Sequence, residues 1–142
     1  MSLRVVSGVV WALAAAGAAE AAGAQTPNPP PIPTRTALVS FPVAPDKAVA
    51  RVDALRVDFA PGQAMPRHMH PVPVVCFVVK GDFRYRIGEG AEQTAKQGTA
   101  TLEPAGAVVQ EFVNASPTEP AQLLCAVLAG ADDRTMNVML PR

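Results

Sequence analysis

Residues 62–81 read GQAMPRHMHPVPVVCFVVKG, and this stretch contains the features that decide the fold. Its second half includes residues 74–79, a short apolar run between a proline and a Lys-Gly-Asp turn signal. Such a run predicts a central β-strand that is covered on both faces. Just before it, His68 and His70 lie two residues apart, so both side chains project to one face if the backbone is extended.

Segments on either side of this stretch predict further strands. Residues 54–59 and 83–87 alternate between apolar and charged side chains, which is typical of half-buried strands, whereas residues 123–128 are apolar throughout. Glycine or proline recurs about every ten residues, and no segment from residue 37 onward has the periodicity of an amphipathic helix. The sequence therefore predicts an all-β domain over residues 37–142, built as a sandwich or a closed barrel.

The N-terminal segment has the pattern of an export signal. Arg4 precedes residues 5–19, which carry no charged side chain, and residues 22–24 then supply the Ala-Gly-Ala sequence that a signal peptidase accepts. We expect residues 1–24 to be a cleaved signal peptide and Gln25 to begin a periplasmic or secreted protein. An uncleaved membrane anchor is the less favoured alternative, because a spanning helix needs about 20 apolar residues.

The composition of the chain indicates a linker before the barrel and excludes some classes of partner. Residues 25–36 begin with QTPNPPPIPT, and this run of prolines predicts an extended linker between the signal and the barrel. The 12 Lys plus Arg balance the 12 Asp plus Glu, and no basic stripe is present. We therefore expect no nucleic-acid partner and no stable membrane insertion after cleavage.

The two cysteines, Cys76 and Cys125, lie in separate apolar runs. Their wide spacing does not match a zinc knuckle or a Cys-x-x-Cys redox pair. An oxidising compartment would permit a disulfide between them, but the sequence does not give the Cα separation that a bridge requires. We favour two unlinked, buried cysteines over a bridge.

The histidine pair is the strongest candidate for chemistry. The chain contains two histidines, and an i, i+2 spacing in a strand directs two imidazole nitrogens toward one point, which is half of a metal site. The alternative is a pair of polar side chains that bond to neighbours without an ion. The pair by itself does not distinguish these interpretations, because a metal normally needs a third protein ligand.

The pair also lies within a spaced motif. Gly62, His68, His70 and Gly81 fit the pattern G-x5-H-x-H-x3-E-x6-G, with Val74 at the glutamate position. This arrangement resembles the first conserved motif of the cupin family. The resemblance implies a single small jelly-roll β-barrel, which agrees with the predicted strands.

Three residues match the glycine and proline positions of the second cupin motif, G-x5-P-x-G-x2-H-x3-N: Gly98, Pro104 and Gly106. Without an insertion, the histidine position of this motif falls on Val109 and the asparagine position on Val113. One inserted residue in the loop after the second glycine places Gln110 and Asn114 there instead. We prefer the alignment with the insertion.

The resemblance implies a metal site with fewer donors than usual. Cupins typically hold Mn, Fe, Ni, Cu or Zn with three histidines and a glutamate. Here it implies one divalent ion bound by His68 and His70, with Gln110 as the candidate third ligand. If Val109 faces inward instead, Glu111 shares its face and becomes the candidate. A site with fewer donors binds its ion more weakly and leaves more positions open.

Fold alone does not choose a function. Cupins include dioxygenases, isomerases and decarboxylases as well as non-catalytic binders, so whether this chain is an enzyme stays open. We expect an exported barrel with a reduced two-histidine site that binds a divalent metal, a small organic ligand in its apolar interior, or both. The alternative is a metal-free, non-catalytic binding or interaction barrel. A homodimer is implied by the resemblance, because many cupins pair through their sheets.

Overall fold

The structure is a computed structural model that describes residues 33–44 and 46–141. The predicted signal peptide, residues 1–24, and residues 25–32 of the predicted linker lie outside these described residues. Within the described ranges there is no α-helix, and so no helix long and apolar enough to cross a membrane.

The described chain forms two antiparallel sheets. Its strands in chain order are β1 (Arg51–Phe59), β2 (His68–Met69), β3 (Val74–Lys80), β4 (Phe83–Ile87), β5 (Gln93–Ala95), β6 (Ala100–Glu103), β7 (Val108–Asn114), β8 (Ala121–Ala129) and β9 (Val138–Met139). The first sheet has the order β1-β8-β3-β6, and the second has the order β5-β4-β7-β2-β9. The predicted all-β, jelly-roll architecture is confirmed.

The apolar core lies between the two sheets. Every second residue of β3 and β8 points inward, including Val74 and Val127, and these side chains are almost fully buried. Phe83 and Phe112 of the second sheet pack against them from the other side. The expectation that the apolar strands are covered on both faces was wrong for the outer face of the first sheet. There, side chains such as Phe77, which is 45% exposed, have no described element packed over them.

Gly81 occupies the turn between β3 and β4 for two physical reasons. Its φ of 76° lies in the left-handed region, which glycine adopts without steric cost. A Cβ at this position would also lie 2.8 Å from the Cβ of Ala121, at the start of β8. The tight turn therefore brings β8 against β3, and a side chain at Gly81 would separate them.

The structure corrects the interpretation of the two cysteines. Cys76 and Cys125 are direct partners across β3 and β8, their Cα atoms lie 4.0 Å apart, and they form a disulfide. Both are buried, as expected, but they are not unlinked. The pairing of two strands distant in the chain brings the cysteines opposite each other, and the spacing of the cysteines alone does not reveal that register.

Removal of the disulfide is expected to destabilise the barrel strongly. The bridge joins residues 49 apart, and closing a loop of that length restricts the unfolded chain by about 4 kcal/mol. The Cys76→Ala/Cys125→Ala variant should lose stability of that order in urea unfolding monitored by circular dichroism. Thiol titration of the unfolded, unreduced wild-type protein should find no free thiols, and two thiols per chain would contradict the bridge.

Candidate metal centre

Three ionisable side chains from opposite sheets meet between the layers. His68 lies in β2 and His70 just after it, whereas Glu103 ends β6 of the other sheet. Glu103 Oε2 lies 2.7 Å from His70 Nε2 and 3.6 Å from His68 Nε2. One potential ligand atom from each residue lies within 4.8 Å of the other two. We call these residues the His-His-Glu triad.

Backbone carbonyls hold both imidazoles in place. His68 Nδ1 lies 2.7 Å from the carbonyl oxygen of Pro66, and His70 Nδ1 lies 2.6 Å from that of Met136. Because a carbonyl oxygen only accepts, each Nδ1 must donate the proton. In the neutral rings this leaves the lone pair on Nε2, the nitrogen that faces Glu103. Metal-bound histidines are commonly fixed in this way, with the second ring nitrogen donating to a carbonyl.

Glu103 has the burial and position of a potential metal ligand. Its side chain is 6% exposed, and Oε2 accepts no hydrogen bond from the described residues, although His70 Nε2 lies 2.7 Å away. A buried carboxylate oxygen without a hydrogen-bond donor is costly. Atoms that bind one ion at about 2.1 Å lie about 3 Å from each other. The 2.7 Å and 3.6 Å separations bracket that spacing, so the donor set fits a metal ion.

His70 and Glu103 shift each other's pKa in opposite directions. Burial, the largest single influence, lowers the pKa of His70, but the Glu103 carboxylate and the Met136 carbonyl outweigh it and raise the pKa overall. Burial likewise raises the pKa of Glu103, but His68 and His70 outweigh it and lower the pKa overall. A proton on His70 therefore competes with a metal ion for the same nitrogen.

The triad faces a cavity of about 150 Å³ between the sheets. Apolar side chains line most of it, among them Val57, Phe59, Leu123 and Val127, and the disulfide forms part of the wall. Such a cavity beside a few convergent polar groups is the usual form of a small-molecule site.

A model of the cupin domain family matches residues 55–127, which is just over half of the chain. The chain belongs to the cupin family. No curated protein matches this cupin in sequence at a significant level.

Solved structures share the fold of this cupin at low sequence identity. The DMSP lyase DddQ from Ruegeria pomeroyi DSS-3 is 18% identical, with a TM-score of 0.53 over 62% of this chain and 42% of that one. An oxalate oxidase in complex with the substrate analogue glycolate is 24% identical, with a TM-score of 0.54 over 63% of this chain and 46% of that one. This cupin thus spans less than half of either protein.

A third similar structure is closer in size. It is a conserved protein with a double-stranded β-helix domain from Klebsiella pneumoniae subsp. pneumoniae MGH 78578. It is 21% identical, with a TM-score of 0.53 over 72% of this chain and 90% of that one. At these identities the three likenesses show the fold alone.

The carboxylate of the site comes from a strand that the sequence motif does not predict. Glu103 is the direct cross-strand partner of Val74, the residue at the glutamate position of the first cupin motif. Directly paired residues share a face of the sheet, so β6 supplies a carboxylate beside the place where β3 would have supplied it. In the sequence, the available signal is one acidic residue at the end of a short strand, before the turn at Pro104. Without the register, nothing links it to the histidines.

Gln110, the predicted third ligand, does not join the triad. Val109 is the residue of β7 that pairs with His68 and points into the core, where it is 1% exposed. Gln110 lies at a β-bulge, and its Oε1 accepts a hydrogen bond of 2.8 Å from Arg67 Nε. The bulge gives β7 one extra residue, so Gln110 lies on the side of the strand away from the cavity.

The same bulge removes Glu111 as the alternative ligand. Glu111 lies beside Arg84 with a 34% exposed side chain, and the next residue, Phe112, is the buried one. The extra residue that the second motif requires is therefore present, but it lies within β7 and not in the loop after Gly106. Asn114 takes the asparagine position, where its Nδ2 donates to the carbonyl oxygens of two neighbouring turns at 3.0 Å and 2.7 Å.

In metal-free protein the His70–Glu103 contact is expected to stabilise the fold most in mildly acidic solution. A raised histidine pKa stabilises the folded state fully below the ordinary value of 6.5, and this contribution is lost as pH rises through the raised value. A lowered glutamate pKa stabilises it above the ordinary value of 4.5, and this contribution is lost as pH falls through the lowered value. Both contributions are therefore present in full only in the pH range between the two ordinary pKa values, 4.5 and 6.5.

Urea unfolding of chelator-treated wild-type and His70→Gln proteins measures this effect, because glutamine does not titrate. The difference in unfolding free energy between the two proteins should be larger at pH 5.5 than at pH 8.5. A difference that stays constant or grows toward pH 8.5 would show that the contact does not act as a charged pair.

Proposed function

We propose that this cupin binds one divalent first-row transition-metal ion through Nε2 of His68, Nε2 of His70 and the carboxylate of Glu103. The observation that carries the proposal is the buried Oε2 of Glu103 between two imidazoles whose other nitrogens are already engaged. Three protein ligands leave further positions on the ion for water or an organic ligand.

The donor set indicates the class of ion. Two imidazoles and one carboxylate suit iron, manganese, nickel, copper or zinc, and the same set is used for non-haem Fe(II) and for catalytic zinc. Calcium and magnesium prefer oxygen ligands and do not fit two imidazoles. A bound ion of this class would act as a Lewis acid toward an oxygen of an organic ligand in the cavity.

A metal-free binding barrel is the second candidate. It is favoured by the raised pKa of His70 and the 2.7 Å contact with Glu103, because a proton on the imidazole would also neutralise the buried carboxylate. In that case the apolar cavity binds its ligand without an ion. Metal content distinguishes the two candidates.

Wild-type protein purified without a polyhistidine tag and dialysed against a mixture of the five ions should retain about one ion per chain. The Glu103→Gln variant keeps the shape of the side chain but removes its charge, and it should lose most of the bound metal. The double variant His68→Ala/His70→Ala should also lose most of the bound metal. Gln110→Ala is the matched control, because that side chain bonds to Arg67 instead of facing the triad. Elemental analysis provides the measurement, and circular dichroism verifies folding.

No retained metal in the wild-type protein would favour the metal-free barrel. About one ion per chain in both wild type and Glu103→Gln would contradict the assignment of Glu103 as a ligand. Loss of metal in Gln110→Ala would instead support Gln110 as a ligand.

We also propose that the chain is exported and that its mature form begins at Gln25. The pattern of residues 1–24 supports this location. The disulfide supports it independently, since such bridges persist in oxidising compartments and are rare in the cytosol.

Export is tested by the intact mass of the protein recovered from the cell envelope and the medium. The mass should correspond to a chain that starts at Gln25. Ala24→Arg should block processing, because the peptidase requires a small residue there. Wild-type protein found in the cytoplasm with its full N-terminus would contradict the proposal.

A further inference from the structure

The polar and apolar lining residues of the cavity are segregated. Its polar side chains are the triad and Asn137. Asn137 directly follows Met136, whose carbonyl receives the His70 hydrogen bond, so both polar groups lie at one end. The remaining wall is aliphatic, aromatic or sulfur-containing. A ligand would therefore meet polar partners at one end only.

Strand register orders the wall residues by their distance from the triad. Glu103, Val74 and Val127 stand in one row across β6, β3 and β8. The disulfide forms the next inward-facing row, and Leu123 of β8 belongs to the row after that. Alternate residues of a strand are about 7 Å apart, so Leu123 lies roughly 13 Å along β8 from the row of the triad carboxylate.

The cavity is too small and too apolar for a large or highly polar ligand. Its volume of about 150 Å³ matches that of apolar protein cavities that bind benzene. Water held deep inside such walls lacks the two to four polar partners that it needs, so an apolar group displaces it favourably. Hydroxyl groups along the ligand body would lose their hydrogen bonds to water without replacement.

The charge of the wall limits the charge of the ligand. No lysine or arginine is among the described residues that line the cavity, and Glu103 contributes a negative charge at the polar end. A dianion would find no countercharge in the walls. A neutral group or a single negative charge fits if it lies at the triad, where a metal ion would neutralise it.

The solvent-exposed part of the cavity lining includes residues that border the triad. The most exposed lining side chains are Leu55 of edge strand β1, at 39%, and Met136, at 36%, together with the adjoining Asn137. Met136 and Asn137 precede edge strand β9, and the Met136 carbonyl accepts a hydrogen bond from His70. A ligand entering between β1 and this segment passes its body toward Leu123 and leaves its polar end near the triad.

We propose that the cavity binds a small, mainly apolar molecule of about benzene size that carries one neutral or singly charged polar head. The head lies at the triad and the apolar body lies over the disulfide toward Leu123. The placement of a charged head rests on the proposed metal site, whereas the binding of the apolar body does not.

Benzoate, acetate and toluene serve as probes. Benzoate and acetate share the carboxylate head, whereas benzoate and toluene share the aromatic body. Metal-loaded wild-type protein should bind benzoate at least tenfold more tightly than acetate, as measured by calorimetry, since acetate has the same head without the ring. Toluene should bind to chelator-treated protein, as observed by ligand-detected NMR, because the body site needs no ion. If the protein binds toluene but retains no metal, this would contradict the proposed metal site and not the proposed ligand cavity.

Adjacent residues of β8 provide a matched pair of variants. Leu123→Trp fills the cavity far from the triad and should weaken benzoate binding at least tenfold with metal content unchanged. Leu124→Trp adds the same group on the outer face, where Leu124 is 46% exposed, and should leave both properties unchanged. If Leu123→Trp does not fold, Val57→Phe on edge strand β1 fills the same level of the cavity.

Acetate binding as tight as benzoate binding, or equal effects of the Leu123→Trp and Leu124→Trp changes, would overturn the proposal. So would the absence of toluene binding in folded, chelator-treated protein.

Discussion

β3 is hydrogen-bonded to β6 on one side and to β8 on the other, and its register with both strands determines the other features of the site. It places Val74 opposite Glu103 and Cys76 opposite Cys125 on the same inward face. A shift of one residue would turn every one of these side chains to the opposite face, because the side-chain period of a strand is two. The carboxylate, the disulfide and the apolar wall therefore depend on a single alignment of strands.

The triad also joins the two layers of the barrel. Both histidines belong to the segment of β2 in one sheet, and Glu103 belongs to the other sheet. Breaking such a buried pair by removing one partner leaves an uncompensated charge, which is strongly unfavourable. The C-terminal segment takes part as well, because β9 pairs with β2 and the Met136 carbonyl orients His70. The site is thus assembled from three parts of the chain that are distant in sequence.

The departures from the cupin motifs have a structural explanation. Val74 replaces the glutamate of the first motif, and its cross-strand partner Glu103 supplies a carboxylate in the same row. Val109 replaces the histidine of the second motif and packs in the core beside His68. These two changes leave three potential metal ligands next to a cavity whose inner wall is apolar. The proposed ligand, with one polar head and one compact apolar body, matches this division of the lining.

Much of this could be predicted from the sequence, because strand periodicity and turn residues are local properties. The alternation in residues 54–59 and 83–87, the apolar runs and the glycine spacing determined the all-β class, the cupin resemblance and the shared face of His68 and His70. Pairing between distant strands is not local. Only the tertiary structure decided that Glu103 completes the triad, that the cysteines are bridged, and that a bulge in β7 turns Gln110 away. Each of these outcomes depends on a register that hydrogen bonds across the sheets select and that residue spacing along one strand does not encode.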